Sequence, residues 1–293
     1  MNLWKVGKVK KVYDVSDSEF EFEFTDQISV FDKVIPTLIP RKGETLCRTS
    51  VFWFERANSI VPTHFIAFIP PNRMRVKRVR ILDHPSPADT TYLIPLEFIA
   101  RYYVAGSLHD RLTSGSLDPQ SVGLKTFQYG DELPDPFVEV TTKLEKVDRL
   151  LTSEEALSLS GLSKEEYDEI VETILKIDED IAGEVKKRGL IHVDGKKEFA
   201  MDENRQIMII DTYGTADEDR FWDQKSYDEG ECVELSKEFV RSYYRESGYH
   251  DALYTARAEK REEPDIPPLP KELVTKTSNL YCDLFEKITG CDL

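Results

Sequence analysis

Asp194-Gly195-Lys196-Lys197-Glu198-Phe199 is followed by the polar break Asp202-Glu203-Asn204-Arg205, then Ile207-Met208-Ile209-Ile210-Asp211, then Asp217-Glu218-Asp219-Arg220-Phe221-Trp222. Read as a strand, the first run puts Asp194, Lys196 and Glu198 on one face, because side chains alternate. The polar break reads as a hairpin turn. A turn centred on Glu203-Asn204 sets Met201 against Gln206, Glu198 against Ile209 and Lys196 against Asp211. Glu198 and Asp211 then become diagonal neighbours, roughly 7–8 Å apart. A slip of one residue would send Asp211 to the opposite face. Two carboxylates beside a lysine suit a divalent cation and its phosphates, since Mg²⁺ takes one or two carboxylates and fills its shell with water and phosphate oxygens. The alternative is the wet face of an edge hairpin carrying a salt bridge, and the segment by itself leaves both open.

The 293 residues, 40% hydrophobic and 32% charged, suffice for one large or two modest globular domains. The start, Met1-Asn2-Leu3-Trp4-Lys5, lacks a signal-peptide pattern, and no apolar run approaches the ~20 residues that span a bilayer. A cytoplasmic protein without membrane partners is expected. Cys47, Cys232, Cys282 and Cys291 form no Cys-x-x-Cys pair, so free thiols are expected. A net charge of −16 weighs against a nucleic-acid partner. The basic run Arg73-Met74-Arg75-Val76-Lys77-Arg78-Val79-Arg80 then reads as a focused anion site or as a strand with one solvated basic face.

Upstream, Lys8 to Val15 and Glu19 to Phe24 alternate as strands, with the acids of the second on its wet face. His64–Ile69 and Met74–Arg80 read as further strands, and Thr45–Ala57 as a helix. Asp83-His84-Pro85-Ser86-Pro87 is a candidate boundary. Tyr92 to Val104 is apolar and aromatic, and Ser114 to Pro136 reads as a long loop. Ser163-Lys164-Glu165-Glu166 is a capping box. It opens a helix whose apolar face is Tyr167, Ile170, Val171, Ile174, Ile177, Ile181 and Val185, with Gly189 as its stop. Lys237–Glu246 and Lys271–Thr289 are later helices. Near the start, Gly7-Lys8-Val9-Lys10 places a glycine and two lysines between strands, a composition that serves phosphates or simply leaves lysines exposed. It is neither a Walker loop nor a kinase glycine loop. Asp26-Gln27-Ile28-Ser29-Val30-Phe31-Asp32 caps a turn or orients a polar substrate.

In order, these segments resemble the phosphoribosylaminoimidazole-succinocarboxamide synthase (SAICAR synthetase) family. The resemblance is carried by Gly7-Lys8-Val9-Lys10 with Tyr13, Asp26 to Asp32, Arg41-Lys42-Gly43, Arg101 through Gly106-Ser107, Thr142-Lys143, Asp194-x-Lys196-x-Glu198-Phe199 and Asp217-x-x-Arg220-Phe221-Trp222. It implies an α+β, ATP-grasp-related fold of two lobes: a β-rich N-terminal lobe over residues 1–82 that covers ATP, and a larger lobe over 83–293 that carries metal and substrate. It also implies a ligase that uses ATP to join the carboxylate of carboxyaminoimidazole ribonucleotide (CAIR) to L-aspartate, with ATP and Mg²⁺ as cofactors and a homo-oligomeric state.

By matching position, Lys8, Lys10, Val76 and Lys77 would serve ATP. Glu198 and Asp211 would hold Mg²⁺, and Lys196, Asp194 and Asp217 would orient the reacting groups. Arg101, Ser107 and Arg220, with Ser29, Asp32 and Lys143, would contact substrate. The chain departs from the family's pattern at Thr212, Val147, Ala200 and in Ala216-Asp217-Glu218-Asp219. Those departures keep open a related carboxylate–amine ligase with another substrate. A kinase-like phosphotransferase and a nucleotide- or RNA-binding regulator are the further alternatives.

Overall fold

A computed structural model describes residues 1–145 and 147–293. The chain opens with β1 (Asn2–Val6), β2 (Lys10–Ser16) and β3 (Glu19–Phe24), then the hairpin β4 (Gln27–Val30) and β5 (Lys33–Leu38), helix α1 (Lys42–Ala57), and β6 (Phe65–Ile69) and β7 (Arg73–Lys77). These strands form an antiparallel sheet in the order β1-β2-β3-β7-β6, with β4-β5 separate. The longer strand β8 (Tyr92–Tyr103) leads to α2 (Gly106–Thr113), β9 (Glu132–Thr142), α3 (Ser153–Ser160) and α4 (Lys164–Lys186). Then come β10 (Leu190–Met201), β11 (Ile207–Ile210), β12 (Asp219–Asp223), α5 (Gln224–Asp228), α6 (Glu238–Glu246), α7 (Tyr249–Ala258) and α8 (Lys271–Thr289). The second sheet runs β11-β10-β8-β9, with β12 also on β10, and is antiparallel throughout. Segregated helices and antiparallel sheets make the fold α+β.

Sequence pattern accounts for the elements that hold the second sheet. Ser163 and Glu166 form the expected reciprocal cap at the start of α4. Its Tyr167, Ile170, Ile174, Ile177, Ile181 and Val185 are buried, a stripe of helical period packed on β10 and β8. Each buried isoleucine contributes roughly 1.5–3 kcal/mol of transfer free energy.

In the first sheet, Glu19, Glu21 and Glu23 lie opposite Lys77, Arg75 and Arg73 across β3 and β7. Arg73 reaches Glu21 at 3.1 Å and Glu23 at 3.2 Å, Arg75 reaches Glu19 and Glu21, and Arg78 reaches Asp14 at 2.8 Å. This corrects two expectations. The β3 acids are not simply a wet face, since Glu21 is buried. The Arg73–Arg80 run is not a bare basic face, because carboxylates neutralise Arg73, Arg75 and Arg78 and leave Lys77 to line a cavity; that removes the extended basic surface behind the RNA-binding alternative. Residues 114–136 also hold a 3₁₀ turn at Pro119–Val122 and the start of β9, and α7 follows Gly248 in a segment that the sequence analysis leaves unassigned.

Candidate active site

Strand β10 is the spine of the site. Asp194, Lys196 and Glu198 share its front face, as alternation predicts. Across β8 they lie opposite Arg101, Ile99 and Glu97, and β9 adds Glu139 opposite Ile99 and Thr141 opposite Glu97. One face of three strands is therefore polar in the middle of an otherwise apolar sheet.

The hairpin register differs from the expected one by a single residue: Glu198 pairs with Ile210, and Met201 with Ile207. Continued as strand, Asp211 would point away from Glu198. The strand stops at Ile210 instead, and Asp211 takes a left-handed φ of 61°. That turn brings Asp211 back to the cavity that Glu198 and Lys196 line. Glu198 and Asp211 thus meet, by a backbone turn rather than by cross-strand pairing.

Charge is concentrated there. Lys196 lies 3.0 Å from Glu97, 3.5 Å from Glu198 and 3.3 Å from Glu218. Lys143 forms an ion pair with Glu198 and lies 3.7 Å from Glu97, and Lys10 pairs with Asp211. Burial opposes the charge on Lys196 and Lys143, yet their carboxylate neighbours hold both ammoniums well above the ordinary lysine range. Asp211 is likewise held well below the usual carboxylate range, against burial, by Lys10 and Lys143. Glu97, Glu198, Glu218 and Asp211 face Lys10, Lys143 and Lys196, so the group holds one carboxylate in excess. The strain falls on Glu97: burial, together with Glu198, pushes it up to about 7, against the pull of Lys196 and Lys143.

A pH dependence follows. The folded chain keeps a proton on Glu97 that the unfolded chain releases near 4.5, so this residue's contribution to stability is lost as pH rises from about 4.5 to about 7. Its size is at most about 3 kcal/mol. Urea unfolding of the metal-free protein across that range should show Glu97→Gln flattening the decline; parallel curves for variant and native chain would refute it.

The arginines are braced. Arg101 donates to Glu139 at 2.7 Å, Asp194 at 3.3 Å and Ser107 Oγ at 3.0 Å. Arg220 pairs with Asp194 and lies 3.2 Å from both Glu234 and Glu238. Against the effect of burial, these carboxylates hold its guanidinium well above the ordinary arginine range. Asp194 therefore aligns the two arginines. Gly106, at φ 51°, is required beside them, since a Cβ there would sit 2.7 Å from Arg220 Nη2. Asp217 accepts from Tyr281 at 2.6 Å and Lys42 at 2.9 Å, with Lys237 at 3.4 Å. Those contacts tie the 211–218 loop to α1, α6 and α8.

Two contiguous chambers result. One, of about 430 Å³, is walled by Val12, Phe20, Phe22 and Phe24 of the first sheet and by Leu93 and Ile210 of the second, with Lys8, Lys10 and Lys77 at its margins. The other, of about 810 Å³, is polar and includes Ser29, Asp32, Arg101, Ser107, Asp194 and Arg220. Lys8, Glu97, Lys143, Lys196, Asp217 and Glu218 line both, and so mark where they join. Lys8 also bonds Asp32 at 2.5 Å across that junction.

Of the expected residues, Val76 alone stands apart: it is buried in the core of its sheet and does not line the cleft. Sequence reading missed Glu97 and Glu218 at the junction, Lys42 beneath Asp217, and Arg241, which lines the polar chamber. Glu97 left a signal, a lone acid four residues before Arg101 in an apolar strand. Lys42 had only its place in the Arg41-Lys42-Gly43 motif. The four cysteines are free, and burial pushes the Cys47 thiol well above its ordinary range.

A family model described as SAICAR synthetase matches residues 3–255. The chain is 56% identical to the phosphoribosylaminoimidazole-succinocarboxamide synthase of Thermoplasma acidophilum and 55% identical to that of Thermoplasma volcanium, over 99% of each chain in both cases. Among solved structures it is similar to a SAICAR synthetase (Type-2) in complex with ADP, with TM-score 0.72 and 27% identity, covering 100% of this chain and 99% of that one. It shares the fold of the Saccharomyces cerevisiae SAICAR-synthase complexed with SAICAR, with TM-score 0.78 and 24% identity, over 99% of this chain and 95% of that one.

Proposed function

This chain belongs to the SAICAR synthetase family, and we propose that its two chambers divide the family's reaction between them. The chain is an ATP-dependent ligase of purine biosynthesis. It joins the carboxylate of CAIR to the amine of L-aspartate and yields SAICAR, ADP and phosphate. In our reading the apolar chamber takes the nucleotide base, with Lys8, Lys10 and Lys77 toward its phosphates. The polar chamber takes CAIR and aspartate. The observation that carries this division is the junction, where Lys196 and Lys143 line both cavities.

A carboxylate is a poor acyl donor. The CAIR carboxylate oxygen attacks the γ-phosphorus and ADP leaves, which gives an acyl phosphate. The aspartate amine, having shed its proton, attacks the acyl carbon, and phosphate leaves. No protein nucleophile is required, so the residues act by orientation and charge. Lys196 and Lys143 neutralise the γ-phosphate and the incoming carboxylate. Arg101, Arg220 and Ser107 bind the anionic groups of CAIR. Ser29 and Asp32, across from Lys196, face the aspartate. Asp217 serves by holding the loop, since its carboxylate is engaged by Lys42, Lys237 and Tyr281.

Glu198 and Asp211 fit Mg²⁺. They are hard oxygen donors turned to one cavity, and Glu198 Oε2 is buried with no aligned hydrogen-bond donor despite the nearby Lys143 ammonium. Bound there, Mg²⁺ supplies charge neutralisation for the nucleotide phosphates.

Among the described residues no helix is long and apolar enough to cross a membrane. The resemblance carries over a cytoplasmic location and a homo-oligomeric state. The test is turnover by the purified chain: ADP release should require CAIR, L-aspartate and Mg²⁺ together, with SAICAR formed mole for mole. ADP release with a different amine, or a stable phosphorylated product without amide, would replace this reading with a related ligase or a phosphotransferase.

A further inference from the structure

Behind the site, on the other face of β10, lies a second charged cluster that the reaction does not use. Lys197, Asp178, His192 and Asp219 have fully buried side chains. Lys197 forms an ion pair with Asp178 of α4 and donates to Asp219 Oδ2 at 3.0 Å. His192 Nε2 lies 2.8 Å from the same oxygen. The Tyr102 hydroxyl donates to Asp178 at 3.0 Å, and the Gly214 amide donates to Asp219 Oδ1 at 2.6 Å. Buried charge is costly unless paired and hydrogen-bonded. Among the described residues, Asp178 Oδ1 and His192 Nδ1 lack a hydrogen-bond partner, whereas both oxygens of Asp219 are engaged, by Lys197, His192 and the Gly214 amide.

The ladder indicates what the engaged Asp219 carboxylate holds in place. β12 pairs with β10 as far as Gly195 opposite Asp219, and β11 pairs from Glu198 opposite Ile210 onward. Between these, Lys196 and Lys197 face no strand on that edge; the 211–218 loop fills the gap. Among the described residues, main chain closes it only through the Lys196 amide and the Glu218 carbonyl, at 3.3 Å. Lys197 and Asp219 bridge the gap from behind. By alternation, holding those two side chains at the back turns their neighbours Lys196, Glu198, Glu218 and Arg220 to the front. Room for this is made at Gly195, where a Cβ would lie 1.9 Å from Asp219 Oδ2 and 2.5 Å from Lys197 Nζ.

We infer that the buried Lys197–Asp219 pair, with Asp178 and His192, is a positioning device: it clamps the end of the 211–218 loop to β10 and so sets Glu218 and Arg220 against Lys196 across the polar chamber. The inference rests on the ligase reading. Lys197 and Asp219 are positioning residues: neither lines the nucleotide chamber, and Asp219 borders the polar chamber with its carboxylate fully buried.

The test uses paired substitutions, because removing Lys197 alone strands two buried carboxylates and invites unfolding. Lys197→Met with Asp219→Ser removes one charge of each sign and also the acceptor for Gly214. Lys197→Met with Asp219→Asn removes the same charges but keeps an acceptor there. In the serine pair, kcat should fall at least about tenfold and the CAIR KM should rise, ADP affinity should stay within about threefold, and Gly214 amide exchange should quicken at least about tenfold. The asparagine pair should recover most of both the rate and the protection. Native-like kcat and KM in the serine pair would overturn the inference. So would loss of ADP affinity in step with kcat, since the cluster would then be a general prop for the fold. Absence of SAICAR formation by the unaltered chain, measured alongside, would count against the ligase reading, while the Gly214 exchange result would still judge the clamp.

Discussion

Glu198→Gln should give a folded protein whose Mg²⁺-dependent turnover is reduced about 10²–10³-fold, the scale expected when a fixed electrostatic partner of the transition state is lost. The fold should survive because the substitution is isosteric and lowers an excess of negative charge. Glu97, Glu198, Glu218 and Asp211 outnumber Lys10, Lys143 and Lys196, and removing the Glu198 charge removes one of the causes that hold Glu97 protonated, so Glu97 can take over as a counter-charge. Lys143 loses its ion pair with Glu198 but keeps Glu97 at 3.7 Å. Three measurements separate the possibilities. Thermal melting should be close to native. ADP affinity without metal should be unchanged. The gain in ADP affinity on adding Mg²⁺ should largely vanish. Near-normal Mg²⁺-dependent turnover would make Glu198 a structural counter-ion for Lys143 and would remove the metal assignment.

The sequence revealed these residues for a physical reason and hid others for an equally physical one. Alternation put Asp194, Lys196 and Glu198 on one face, and the structure has them so, because period two is a property of any extended strand. The capping box and apolar stripe of α4 were legible because they are local. Pairing register is not local: the strands pair one residue out of the register that a turn centred on Glu203-Asn204 gives, and a strict hairpin would then lose Asp211. It is recovered by a left-handed residue that no apolar pattern marks. Lys42 and Tyr281 were illegible as site residues because their partner, Asp217, lies far away in sequence. The departure at Ala216-Asp217-Glu218-Asp219 looked like a weakened motif. In three dimensions the Asp219 carboxylate belongs to the back of the sheet, where it meets Lys197, so the departure at that position has a charged partner on β10. Arg73, Arg75 and Arg78 carried the opposite lesson, since a basic strand read alone cannot show the acids laid beside it.

Arg220→Ala should weaken the ribonucleotide much more than the nucleotide. The Arg220 guanidinium is held by Asp194, Glu234 and Glu238 and lines the polar chamber but not the apolar one. A charged hydrogen bond to an anionic substrate contributes about 1.5–3 kcal/mol, so the CAIR KM should rise roughly 10–100-fold while ADP affinity changes by less than about threefold. The same substitution leaves the largely buried Glu234 without a cation, while Asp194 keeps Arg101 and Glu238 keeps Arg241 and Arg245, so the loss of stability should sit near the lower end of about 3–5 kcal/mol. Assays therefore belong well below the melting temperature, with Arg220→Lys as the control. Lysine restores the charge and much of the stability, but a single ammonium cannot serve Asp194, Glu234, Glu238 and a substrate oxygen with the fixed fork of a guanidinium. If Arg220 binds CAIR, the lysine variant should be nearly as stable as native yet still show a raised CAIR KM. A lysine variant with native KM would make Arg220 a counter-ion for its carboxylates, and equal loss of CAIR and ADP binding in the alanine variant would contradict the division of the cleft into two chambers.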